Sequence, residues 1–202
     1  MLLTALEFVG LVAFAASGAL AAVRARLDVF GVVVVGLTTA LGGGVIRDVL
    51  LGIHPPTTLR NWSYLAVCAV TALFVFVFHP QVARLRRGVL LADALGLGVF
   101  ATAGTTIALN AGATVYAACL IGMTTGIGGG AVRDLLLREI PLVLRKEIYA
   151  VAALAGSALV AVGHSAQLPQ GPVTVIAAAV VVTVRMVGLW RHWNAPVARG
   201  PE

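Results

Sequence analysis

The chain has 202 residues, 60% of them hydrophobic and only 11% charged, with a mean hydropathy of +1.01. A soluble domain with a polar surface is excluded at that composition, so the solvent is a bilayer. The formal charge of +6 does not point to nucleic acid, because the basic residues flank apolar stretches and are not interleaved with aromatics on a polar face.

Seven apolar stretches follow in chain order, at 2–23, 29–46, 62–78, 89–109, 114–132, 148–163 and 172–190. Each approaches the ~20 residues that cross a hydrocarbon core about 30 Å thick, with tilt and local thinning accommodating the shorter third and sixth. The first has no basic residue ahead of its apolar run, carries Glu7 and has a counterpart later in the chain. It is therefore expected to be a membrane helix and not a cleaved signal. The connections are short, and the expected organisation is one membrane domain over 1–202. It comprises a first unit at 1–79, a second at 88–164, a closing helix at 172–191 and a polar cytoplasmic tail at 192–202.

With seven crossings, the first, third and fifth connections share a side with the C-terminus. That side holds eleven basic residues: Arg24, Arg26, Arg84, Arg86, Arg87, Arg133, Arg138, Arg145, Lys146, Arg191 and Arg199. The other side holds Arg47 and Arg60. The asymmetry predicts a multi-pass protein of the cell membrane with its N-terminus outside and its C-terminus in the cytoplasm. Arg84, Arg86 and Arg87 are candidates for contact with anionic lipid, at ~1 kcal/mol per basic residue near the surface. Arg185, inside the seventh stretch, is expected to snorkel toward the cytoplasmic interface beside Trp190 and Trp193, or to pair with Asp93 or Glu147.

Residues 7–61 align with 93–147 without a gap at a constant offset of 86, with 19 identities in 55 positions, among them Gly10/Gly96, Phe14/Phe100, Gly18/Gly104 and Pro55/Pro141. The shared run T-T-x-x-G-G-G-x-x-R-D is too specific for chance matching of apolar residues, so the chain is a duplication. Three spans per unit is an odd number, and the second unit must enter the membrane from the opposite face. Inverted repeats of this kind are a transport architecture. The expected fold is an all-α membrane protein of seven transmembrane helices, arranged as two inverted three-helix repeats plus a C-terminal helix. Helices 2 and 5 are expected to be kinked at their GGG triplets.

Consecutive glycines cost ~1 kcal/mol each relative to alanine in a helix interior and admit bent or unwound backbone. Freed backbone groups at membrane depth must meet protein or a water-filled cavity, where carbonyls can serve a dehydrating cation. Gly42, Gly43, Gly44, Gly128, Gly129 and Gly130 are thus the candidate kink and pore lining. Thr38, Thr39, Thr124 and Thr125 would add hydroxyls to the same wall. Close helix packing through small residues is the other reading. Arg47, Asp48, Arg133 and Asp134 are expected as ion pairs at opposite ends of a pathway, or as structural bridges, because an arginine at membrane depth needs a partner or water. Glu7 and Asp93 are candidate acids at the two mouths, or interfacial acids favoured by the helix dipole.

Other chemistries find little support. The G-x-G-x-x-A match at 126–131 lacks the strand that a dinucleotide fingerprint requires. His54, His79, His164 and His192 have no metal-ligand spacing, and Cys68 and Cys119 are lone residues in mid-span. No nucleophile stands near a base, so no enzyme, cofactor or structural metal is expected.

The doubled G-G-G-x-x-R-D, set in two inverted three-helix units plus one, resembles the prokaryotic trimeric intracellular cation (TRIC) channels over essentially the whole chain. The resemblance implies a homotrimer among membrane lipids, each subunit enclosing a water-filled, hourglass-shaped pore lined by helices 2 and 5. The permeants it implies are monovalent cations, chiefly potassium, with sodium second. The basic voltage-sensing helix 4 of animal members is not expected, since 89–109 has no basic residue. From the residues alone, a secondary transporter of a small solute such as an amino acid remains the alternative, with a purely structural membrane protein third.

Overall fold

The computed structural model describes residues 2–83, 88–145 and 147–191. Arg84, Arg86, Arg87, Lys146, His192, Trp193 and Arg199 lie outside the described residues, as does the expected tail. The described chain is helical: α1 (Leu2–Arg24), α2 (Val29–Leu50), α3 (Thr57–Arg60), α4 (Trp62–Ala83), α5 (Gly88–Asn110), α6 (Val115–Leu136), α7 (Leu142–Arg145), α8 (Glu147–Ser165) and α9 (Gln170–Trp190). Six of these are long and apolar enough to cross a membrane, and Trp62–Phe78 forms a shorter apolar stretch within α4. The four-residue helices α3 and α7 were not expected. They follow α2 and α6 in the same way, one in each unit.

The helix ends repeat as well. Leu27 N–H bonds Ala22 C=O after α1, and Ala113 N–H bonds Ala108 C=O after α5; the same closure follows α2 (Ile53 to Asp48) and α6 (Glu139 to Asp134). This closure puts one residue in the left-handed region, where glycine carries no Cβ penalty. Gly112 (φ 85°) and Gly52 (φ 69°) fill the position in one copy, while the equivalent Arg26 (φ 59°) and Arg138 (φ 58°) fill it in the other. Arg26→Gly and Arg138→Gly are each expected to raise stability by about 0.5–1 kcal/mol, since both side chains are exposed and only the backbone cost is relieved. Thermal unfolding in detergent would check this.

The core lies where the two units face each other. Phe14 and its equivalent Phe100 stack at 5.4 Å between ring centroids. Gly10 makes room for the Phe100 ring, and Gly96 for the Phe14 ring. Gly18 receives Thr39, as Gly104 receives Thr125. Around this centre α4 packs on α1 and α2, and α8 packs on α5 and α6, the same arrangement in both units. Helix α9 packs on α5 and α8 and has no equivalent beside the first unit. The architecture is therefore two-fold in pattern with one added helix on the second side.

Two expectations require correction. Neither α2 nor α6 unwinds at its triplet: each is one continuous helix through all three glycines. The freed carbonyls expected from a broken helix are therefore not present, and the triplets act through the space they leave. The constant offset of 86 also fails beyond α2. Pro56 precedes α3 and Pro141 precedes α7, so the loop of the second unit is one residue shorter and the offset there is 85. Pro55 matched Pro141 only because two prolines stand side by side.

Candidate functional site

The triplets meet at the crossing of α2 and α6. A Cβ on Gly43 would run into the backbone carbonyl of Thr125, and one on Gly129 into that of Thr39. Thr39 thus faces Gly129 while Gly43 faces Thr125, so the two helices run antiparallel and touch backbone to backbone. The flanking glycines have other neighbours. A Cβ on Gly44 would meet Thr58 of α3, one on Gly130 the Tyr149 hydroxyl of α8, and one on Gly42 would find Val132 at 3.8 Å.

Thr39 and Thr125 are fully buried, with their hydroxyls donating to Val35 C=O and Ile121 C=O, both at 2.6 Å. Each hydroxyl satisfies itself on its own helix, as threonine does at membrane depth. Thr38 and Thr124 are half-buried and bond in the same manner, at 2.9 Å to Val34 C=O and Leu120 C=O. Thr38 borders an apolar groove of about 360 Å³ beside Gly42, Ile46 and Val132.

Because α2 and α6 are antiparallel, their C-terminal ends point to opposite sides, and each carries an Arg-Asp pair into the interior. On the first, Arg47 donates through Nε to Asp48 Oδ1 at 2.8 Å, and its Nη1 lies 3.7 Å from Glu7 Oε1. Glu7 in turn accepts from the Tyr64 hydroxyl at 2.9 Å. On the second, Arg133 donates through Nε to Asp134 Oδ1 at 2.8 Å and through Nη1 to Asp93 Oδ1 and Ser17 Oγ, both at 2.7 Å. Glu7 and Asp93, expected as mouth or interfacial acids, stand instead against Arg47 and Arg133. Ser17 belongs to the first unit and fastens it to the arginine of the second.

The aspartates have a second task. Asp48 Oδ2 accepts the Thr57 N–H at 2.6 Å and Asp134 Oδ2 accepts the Leu142 N–H at 2.9 Å, so each R-D pair tethers the short helix that follows it. Arg47 and Arg133 are each 3% exposed. They are not loop charges, and neither belongs in a count of basic residues flanking the membrane. A cavity of about 220 Å³ reaches the second cluster, lined by Arg24, Arg133, Asp134 and Glu139 among others.

Arg185 is not at an interface. It is 2% exposed, with its guanidinium 4.8 Å from the centre of the Tyr149 ring. The snorkelling reading fails because α9 is packed against α5 and α8, which leaves the side chain inside. Its Nε and Nη2 have no hydrogen-bond partner among the described residues, and the same holds for Asp93 Oδ2 and the Tyr149 hydroxyl. The Glu147 side chain lies outside the described residues.

Tyr64 and Tyr149 are site residues that sequence reasoning missed. With the offset set to 85 past the loop, P-x-x-L-R-x-x-x-Y appears twice, at 56–64 and 141–149. The signal was present and an ungapped alignment concealed it. No group of three or more metal-ligating side chains occurs among the described residues.

A family model described as a glycine transporter matches the chain twice, over residues 4–80 and 90–165. The chain is 38% identical over 198 residues to the UPF0126 inner membrane protein YadS of Escherichia coli K12, covering 97% of this chain and 96% of that one. It is 45% identical over 157 residues to a UPF0126 membrane protein of Deinococcus radiodurans, covering 77% of this chain and 73% of the relative. Among solved structures, a TRIC channel orthologue from Rhodobacter sphaeroides matches with a TM-score of 0.90 and 36% identity, over 95% of this chain and 98% of that one. A structure from work on conductance through TRIC cation channels matches with a TM-score of 0.91 and 34% identity, over 98% of both chains. In residues, in span and in fold, this chain belongs to the bacterial TRIC family, to which the glycine-transporter model corresponds.

Proposed function

We infer that the chain is a cation channel, with a conduction path in each subunit of a homotrimer running between α2 and α6. The observation that carries this reading is the pair of buried Arg-Asp-acid clusters at opposite ends of two antiparallel helices, in a chain matching TRIC cation channels over nearly its whole length. Its structural neighbours are ion channels, a non-enzyme family.

Potassium is the principal permeant in this reading, with sodium second. The triplets Gly42 to Gly44 and Gly128 to Gly130 form the bend and the narrow part of the path, with Thr38, Thr39, Thr124 and Thr125 one turn away. Backbone contact closes the crossing in the state described, so conduction requires α2 and α6 to part at Gly43 and Gly129. Glycine permits that bend without loss of helical hydrogen bonds. Arg47 with Asp48 and Glu7, and Arg133 with Asp134 and Asp93, bound the two ends.

The chain acts as one membrane domain over 1–202, its cytoplasmic side marked by basic residues. With the buried Arg47 and Arg133 set aside, ten basic residues remain on the C-terminal side against Arg60 alone. Arg84, Arg86 and Arg87 provide its contact with anionic lipid.

The glycine-transporter description of the matching family model favours a second reading, a carrier of a small amino acid that uses the same inverted-repeat site. Purified protein in planar bilayers under a potassium chloride gradient separates the two. The channel gives discrete current steps that reverse near the potassium equilibrium potential. Absence of current, together with saturable uptake of labelled glycine into liposomes, would replace the channel by the carrier.

A further inference from the structure

The two ends of the path are built from equivalent residues, yet their buried charge differs. At the first end one guanidinium, Arg47, stands against two carboxylates, Asp48 and Glu7. At the second end Arg133 stands against Asp134 and Asp93, and Arg185 adds a second guanidinium from α9. Among the described side chains, the first cluster therefore has a net charge of minus one, while the second is neutral. The helix that breaks the two-fold pattern is the one that carries the extra charge.

The position of Arg185 suits an electrostatic role better than a structural one. A buried arginine placed for stability is expected to satisfy its donors on carboxylates or carbonyls. Arg185 leaves Nε and Nη2 unpartnered among the described residues and rests on the face of Tyr149, beside an equally unpartnered hydroxyl. The Tyr149 hydroxyl and Asp93 Oδ1 border the same space at Gly130, and Asp93 bonds Arg133, which lines the polar cavity with Asp134. Arg24 and Glu139, which share that cavity, offset each other. Arg60 and Arg145 hold equivalent sequence positions in the two units.

We propose that Arg185 is a rectification-determining residue, a fixed cation at the second end that makes cation flow easier from the first end toward the second than in reverse. The proposal rests on the channel reading. A net negative cluster concentrates cations at the first mouth, and no such store exists at the second. A unit charge acting at ~10 Å through an effective dielectric of ~20 alters local cation occupancy by of the order of tenfold. Under the orientation inferred above, the favoured direction is inward.

The test is single-channel recording in patches excised from bacterial spheroplasts expressing the chain, which preserve its cellular orientation, in symmetrical 1 M potassium chloride. At that ionic strength the screening length is about 3 Å, which suppresses the exposed basic residues and leaves the buried clusters. The wild type is expected to pass more current from the first end toward the second. Arg185→Gln is expected to raise current in the unfavoured direction several-fold, and Arg185→Lys to retain the wild-type asymmetry. Glu7→Gln neutralises the first cluster without touching α9, is expected to reduce the asymmetry by lowering the favoured current, and decides the matter if Arg185→Gln does not fold. The double variant Glu7→Gln with Arg185→Gln leaves only the second cluster negative, and its rectification is expected to reverse in sign. A linear wild-type current–voltage relation overturns the proposal, as does asymmetry unaltered by neutralising either residue, and both outcomes leave the channel reading intact. A wild-type chain that passes no cation current overturns the channel reading itself and the proposal with it.

Discussion

Gly43→Ala and Gly129→Ala are each expected to destabilise the protein by about 2–3 kcal/mol, whereas Gly42→Ala is expected to be neutral or stabilising by up to ~1 kcal/mol. All three exchanges add the same methyl group to the same kind of helix, so propensity alone predicts a gain at each. What separates them is the neighbour. At Gly43 and Gly129 the new Cβ lands on the carbonyl of the facing helix, and relief requires α2 and α6 to move apart along their crossing. At Gly42 the nearest atom is a Val132 methyl at 3.8 Å, an ordinary contact. Thermal unfolding in detergent, followed by loss of the folded peak on size exclusion, gives the ordering. Equal midpoints for Gly42→Ala and Gly43→Ala would show that the crossing tolerates separation, and would remove backbone contact as the reason for the triplet.

That ordering within one triplet marks a limit of the sequence. G-G-G reads as a place where a helix is weak, and from the residues alone weakness suggests an unwound turn. Both helices stay continuous, and the space left by the middle glycine of each triplet is filled by the backbone of the other unit, a long-range fact that no window of sequence contains. The repeat, by contrast, was legible as far as Asp48 and Asp134, and the aligned positions take equivalent places in the two units. Phe14 stacks on Phe100 and Gly18 mirrors Gly104, because an inverted duplication packs its copies against each other.

Legibility ended at the loop after α2. One deleted residue moved the register, hid Tyr64 and Tyr149, and left a chance match of prolines in its place. Arg185 was misjudged for another reason. Snorkelling is the usual escape for a lone basic residue near a helix end, and its failure depends on α9 being packed on α5 and α8, a placement outside the repeat.

Arg133→Ala is expected to be the most destabilising single exchange in the site, at about 3–5 kcal/mol, because it strands two almost fully buried carboxylates. The Asp93 side chain is 1% exposed and the Asp134 side chain 5%. Arg47→Ala is expected to cost less. It also strands Asp48, but Glu7 is 17% exposed and keeps the hydrogen bond from Tyr64, so one of its two charges is partly hydrated already. If the cost at Arg133 arises from unpaired charge and not from the cavity left by the side chain, neutralising a partner recovers it. Asp93→Asn added to Arg133→Ala is therefore expected to restore stability by about 1–3 kcal/mol, although Asp93→Asn alone destabilises, and the double-mutant cycle measures that coupling. Additive effects in chemical denaturation would assign the loss to packing. A clear coupling identifies Arg133 as the charge that compensates two buried acids inside a membrane helix bundle, from two different helices at once.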